Sequence, residues 1–73
     1  MTELRVGDRV SWATPQGRIR GRIVDRCTHP FEFAGRSISA SALKPVFIVQ
    51  SDASQVKAAH RAPALRKLTR PVH

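Results

Sequence analysis

The sequence has few of the residues that build disulfide-bonded or metal-dependent proteins. Among 73 residues it contains one cysteine, Cys27, one tryptophan and no tyrosine. A single thiol excludes an intramolecular disulfide and a cysteine-rich zinc site. Cys27 and His29 with the distant His60 lack the paired ligand spacing of a metal site, and no glycine cluster of a nucleotide-binding loop is present. We therefore expect neither a metal nor a cofactor.

Long apolar runs are also absent. No stretch approaches the roughly 20 apolar residues that span a bilayer, and the first residues lack the apolar segment of a signal peptide. These absences predict no membrane insertion and a cytoplasmic location.

Acidic residues are scarce as well. Thirteen lysines and arginines face five aspartates and glutamates, which gives a formal net charge of +8. Such an excess attracts polyanions such as DNA or RNA through long-range electrostatic forces, but it also fits a solvated exterior with no dedicated ligand. A chain of this length buries only about 60% of its unfolded surface, so it has room for one small core.

What the sequence does contain is alternation of apolar and polar residues, which is typical of half-buried strands. Val10 and Trp12 alternate with polar neighbours, and after a Pro/Gly loop a second run places Ile19, Gly21 and Ile23 on one face. Arg18, Arg20 and Arg22 occupy the other face of that run. A glycine inside a strand often marks a bend, so we expect the sheet to curl at Gly21.

Three further strands and a helical turn complete the predicted fold. We expect strands at 31–33, at 45–50, where Phe47 and Val49 point inward, and at 56–60. The spacing of Leu65 and Leu68 predicts one helical turn that closes an end of a barrel. The predicted core is Val10, Trp12, Ile19, Ile23, Phe47, Val49, Leu65 and Leu68.

Several widely spaced motifs resemble a known family. They are Gly7-Asp8-x-Val10-x-Trp12, Gly17-x-Ile19-x-Gly21-x-Ile23, Pro45-x-Phe47-x-Val49-x-Ser51-Asp52-x-Ser54 and Ala59-His60-Arg61-x-x-Ala64-Leu65-x-x-Leu68. In this order they resemble the Tudor domain of hypervirulence-associated proteins, which are mostly small bacterial proteins of unassigned role. The resemblance implies a Tudor-type barrel, and with the strand pattern above we expect an all-β, five-stranded SH3-like barrel over residues 1–68. Residues 69–73 contain Pro71 and little apolar surface, so we expect them to form a frayed tail. Gln55 departs from the family pattern because it stands where a turn glycine is expected.

The predicted function is a small, monomeric, non-catalytic binding module. Arg18, Arg20 and Arg22, extended by Arg26, are the candidate contacts to nucleic acid, because alternate residues of a strand form a stripe that can follow a phosphate backbone. The alternative is a protein-interaction module in which a sheet edge, by strand addition, or the region of Phe31 and Phe33, by apolar contact, receives a peptide or an acidic protein.

The sequence does not favour two other functions, a methyl-lysine or methyl-arginine reader and a hydrolase. One tryptophan and three phenylalanines are too few for an aromatic cage that binds methylated lysine or arginine. Ser51, Asp52 and His60 are residue types of a hydrolase triad, but their spacing is that of a turn and the strand beside it, without a nucleophile elbow. We therefore expect no enzymatic activity.

Overall fold

A computed structural model describes residues 4–68, and these residues form seven strands and one turn of 3-10 helix. The elements in chain order are β1 (Arg9–Thr14), β2 (Gly17–Cys27), β3 (Phe31–Phe33), β4 (Arg36–Ile38), β5 (Val46–Ser51), β6 (Lys57–Arg61), the 3-10 turn η1 (Ala62–Ala64) and β7 (Arg66–Lys67).

Five of these strands form one antiparallel sheet in the order β6-β5-β2-β1-β7. The two edge strands, β6 and β7, follow each other in the chain and are joined through η1, so the sheet curls until its edges approach each other at that turn. Within residues 4–68 these edges are not hydrogen-bonded to each other, so the barrel stays open along one seam. This architecture confirms the predicted all-β, five-stranded fold.

The hairpin β3–β4 forms a separate two-stranded sheet. Its two-residue turn places Ala34 at φ 53° and Gly35 at φ 77°, the left-handed pair that matches the twist of the flanking strands. The predicted strand at 31–33 is therefore present. The prediction missed β4, because Arg36-Ser37-Ile38 is short and mostly polar.

The helical turn lies earlier than predicted. Pro63 sits in η1, while Arg66 and Lys67 are extended and pair with Ser11 and Val10 of β1. The i, i+3 spacing of Leu65 and Leu68 favours a helical turn, but two leucines are too short a pattern to exclude an extended segment. The predicted tail, 69–73, lies outside the described residues.

The core lies on the concave face of the sheet. Its buried residues are Val10, Trp12, Ile23, Phe47, Val49 and Leu65, and the half-buried Ile19 packs against them. Leu68 is half-buried.

Gly21 has a different role from the predicted one. The ladder runs through it without interruption, whereas the register shift in β2 falls between Ile23 and Asp25, which makes Val24 the bulged residue. A Cβ at position 21 would lie 2.0 Å from the Gln50 carbonyl oxygen and 2.7 Å from Cη2 of Trp12. Gly21 therefore allows β5 and the indole ring to approach β2 closely.

Candidate nucleic-acid interface

The outward face of β2 carries three arginines. Arg18, Arg20 and Arg22 are exposed, and they alternate with Ile19, Gly21 and Ile23, which point toward the core. Successive arginines are about 6.6 Å apart along the strand, which is the rise of two residues.

Neighbouring strands add cations to this face. Residues paired across a ladder point to the same side of a sheet, and Arg9 pairs with Arg22, while Ser11 pairs with both Arg20 and Arg66. On the other side of β2, Gln50 pairs with Arg22 and with Lys57. We call this surface the basic face, and its cations are Arg9, Arg18, Arg20, Arg22, Lys57 and Arg66.

Half of the basic face was missed by the sequence reasoning. Arg9 has a local signal, since it alternates with Val10 in a predicted strand. Lys57 and Arg66 come from distant parts of the chain, and only the strand order and register bring them to β2.

The cations of the basic face differ in how they are engaged. Nη2 of Arg18 donates to Oγ of Ser11 at 2.8 Å and lies over this buried hydroxyl, while Arg9 forms an ion pair with Asp52. Within residues 4–68 the side chains of Arg20 and Arg22 make no hydrogen bond or ion pair. These two guanidinium groups are therefore available to an external anion.

Arg26 does not extend the stripe, so that part of the prediction is wrong. The bulge at Val24 reverses the alternation of β2, and Arg26 pairs with Phe47, whose side chain is in the core. Arg26 is exposed on the concave side, at the end of the barrel, rather than on the basic face.

Phe31 and Phe33 are half-buried rather than presented to solvent. They line a cavity of about 350 Å³ together with Val24, Cys27 and Ile48. Burial, with a smaller effect of the Asp25 carboxylate, raises the pKa of the Cys27 thiol, which keeps it protonated at neutral pH.

The three triad-type residues have separate partners. Oγ of Ser51 accepts a hydrogen bond from the Ser54 amide at 3.3 Å, and the carboxylate of Asp52 binds Arg9. The ring of His60 lies 5.9 Å from that of Trp12, and burial lowers the pKa of this imidazole. The three side chains therefore serve a turn, an ion pair and the edge of the core.

Two other structural features are absent from residues 4–68. In this part of the chain no cluster of three or more His, Cys, Asp or Glu side chains could hold a metal ion. None of its helical segments has the length and apolar character needed to cross a membrane.

Comparison with known proteins assigns the chain to a family. The family model for the Tudor domain of hypervirulence-associated proteins matches residues 7–65, which include β1 to β6 and the buried Leu65. No curated protein and no solved structure gives a significant match.

Proposed function

Because the chain belongs to the family of hypervirulence-associated protein Tudor domains, a family of small binding modules, we propose that its ligand is the phosphate backbone of DNA or RNA. The basic face supplies the contacts, with Arg20 and Arg22 as the principal ones and Arg18 beside them. The proposal includes the absence of catalysis, since Ser51, Asp52 and His60 each serve a different structural contact.

The observation that carries this proposal is the pair of unengaged guanidinium groups at the centre of a cationic sheet face. Asp52 offsets the charge of Arg9, but the cations on either side of Arg20 and Arg22 add to their field. Arginine binds phosphate oxygens through two parallel N–H donors, so an array of this kind suits a chain of phosphates.

The character of the face also favours backbone contacts over base recognition. Among residues 4–68, Trp12 and Phe47 are buried and Phe31 and Phe33 are half-buried, so no fully exposed aromatic ring offers a platform on which unpaired bases could stack. Phosphate contacts fix position without reading sequence. We therefore expect weak preference among sequences and a dissociation constant of about 1–100 μM at physiological salt.

Fluorescence anisotropy with labelled DNA and RNA duplexes tests this proposal. If about four cations contact phosphates, the logarithm of the binding constant falls with the logarithm of salt concentration with a slope of about −4. Reversal of charge in Arg20→Glu/Arg22→Glu is expected to reduce the slope by about 2 and to weaken binding by more than tenfold. Arg18 is left intact because its replacement would remove the hydrogen bond to the buried Ser11.

A matched control separates the face from the net charge. Arg26→Glu/Arg36→Glu removes two exposed arginines from other surfaces and lowers the formal charge by the same amount, so it should retain most of the affinity. Equal losses in the two double variants would refute a dedicated basic face. An absence of duplex binding by the unmodified protein at low salt would refute the function itself.

A further inference from the structure

A second surface lies at the open end of the barrel, on the concave side of the sheet. It is a cleft of about 820 Å³ whose apolar lining is Leu4, Leu43, Pro45, Phe47, Ala62 and Leu65. We call it the end cleft. Phe47 and Leu65 belong to the buried core, so the cleft is an opening through which part of the core can be reached from solvent.

Leu43 is the most unusual residue of the end cleft. Its exposed fraction is 95%, although it is a large apolar side chain. A second cavity of about 560 Å³ is also lined by Leu43, together with Pro45, Ala62 and Pro63. Leu43 therefore stands as an apolar ridge between two concave surfaces, and exposed apolar surface of this kind is typical of a docking site.

The turn that carries Leu43 is held in place by hydrogen bonds. The amides of Ser41 and Lys44 donate to each other's carbonyl oxygens, both at 3.2 Å. The guanidinium group of Arg61 donates to the carbonyls of Lys44 at 3.2 Å and Ser39 at 2.9 Å, which ties the turn to β6. These hydrogen bonds fix the turn that carries Leu43, so little free energy would be needed to order this turn when a partner binds.

The charged residues that line the end cleft are all basic. Arg26, Arg66 and Lys67 line it, and none of its lining residues is acidic. Lys67 is ion-paired with Asp8 at 3.4 Å, whereas Arg26 is exposed beside Phe47 because the bulge at Val24 turned it to this side. An occupant that complements this surface has an apolar centre and negative charge around it.

We propose that the end cleft binds a short segment of a partner protein in which one large apolar side chain is flanked by carboxylates. The apolar side chain packs against Leu43, Pro45 and Leu65, and a carboxylate pairs with Arg26. Apart from Arg66, which borders both, this site has no residue in common with the basic face, so the molecule carries two ligand surfaces of different chemistry.

Titration of the 15N-labelled protein with a panel of short peptides tests the proposal. Each peptide carries Leu, Ile, Phe or Trp between Asp and Glu residues, and matched peptides replace either the acids with Lys or the apolar residue with Ser. Acidic peptides with an apolar centre should shift the amides of Leu43, Lys44 and Leu65 and leave those of Arg20 and Arg22 unchanged. Both matched series should bind at least tenfold more weakly.

Variants locate the site. Leu43→Ser should weaken peptide binding about tenfold or more without unfolding the protein, because this side chain is already in solvent. Val56→Ser, which alters another exposed apolar residue, is its control. Arg26→Glu should weaken binding of the acidic peptides, and Arg36→Glu on the separate hairpin should not.

Four results would overturn the proposal. The first is the absence of binding to every acidic peptide at about 1 mM, and the second is an unchanged peptide affinity in Leu43→Ser. The third is a response of the cleft amides to dodecyl phosphate but not to peptides. The fourth is peptide binding that occurs only after removal of residues 1–3. The last two would assign the cleft to an anionic lipid or to the chain's own N-terminal segment. Arg20→Glu/Arg22→Glu should bind peptides normally, so failure at one surface is distinguishable from failure at the other.

Discussion

Replacing Gly21 with alanine is expected to destabilise the protein severely, although alanine ordinarily stabilises a strand relative to glycine by about 0.5–1 kcal/mol. The added methyl carbon would lie 2.0 Å from the carbonyl oxygen of Gln50. Ordinary van der Waals contact begins at 3.4 Å, so the backbone of β5 would have to withdraw by about 1.4 Å.

The magnitude follows from what that withdrawal disrupts. Overpacking in a well-packed interior costs about 1–3 kcal/mol, and each ladder hydrogen bond that is lost beside Ser51 costs about 0.5–1.5 kcal/mol. The sum for one or two bonds is about 1.5–6 kcal/mol. A domain of this size has a total stability of only about 4–11 kcal/mol, so Gly21→Ala should lose a large part of it or fail to fold.

Urea unfolding followed by far-ultraviolet circular dichroism measures this loss. The variant Gly21→Ala/Trp12→Phe separates the two contacts, because it removes Cη2 of the indole, 2.7 Å from the new methyl carbon, but leaves the Gln50 carbonyl in place. If the backbone contact dominates, the double variant is no more stable than Gly21→Ala. An unfolding free energy for Gly21→Ala within about 1 kcal/mol of the unmodified protein would show that β5 does not approach β2 so closely.

Two further predictions concern stability. Gln55 has a φ of 61°, a left-handed conformation that costs a residue with a side chain about 1–2 kcal/mol. Gln55→Gly should therefore raise the unfolding free energy by up to about 1 kcal/mol. A decrease in the unfolding free energy would contradict the left-handed turn at this position. Burial lowers the pKa of His60 in the folded protein, so the unfolded state binds the proton more readily. The unfolding free energy should therefore be highest above the unfolded pKa of about 6.5 and fall as the pH drops below that value. Urea midpoints between about pH 7.5 and 5.5 should show this fall in the unmodified protein and a smaller one in His60→Gln; equal falls would assign the titration elsewhere.

Local alternation in the sequence was sufficient to predict the orientation of the first half of β2. Arg18, Arg20 and Arg22 are exposed and Ile23 is buried, as a period of two requires. The same alternation misplaced Arg26, because a bulge adds one residue to the count and Val24 is an ordinary strand residue with no bulge signal of its own.

Local sequence patterns did not predict the contacts between segments that are distant in the chain. Lys57 and Arg66 join the basic face only because β6 and β7 lie on opposite sides of the β2–β1 pair, and nothing local specifies that order. The end cleft likewise depends on how the turn at 41–44 is tied to Arg61, a contact across 17 and 22 residues of sequence.

The strand order also determines the sequence of events by which the chain can fold. β1 and β2 are joined by two residues, Pro15 and Gln16, so this hairpin can form within microseconds of collapse. β5 can pair with β2 only after the connection from Cys27 to Val46 has closed, and β7 pairs with β1 through only two ladder pairs. Pairing of distant segments is slow in small β proteins, so we expect docking of β5 on the β1–β2 hairpin to limit the folding rate. We expect the short β1–β7 ladder to open first during unfolding, because only two residue pairs hold it.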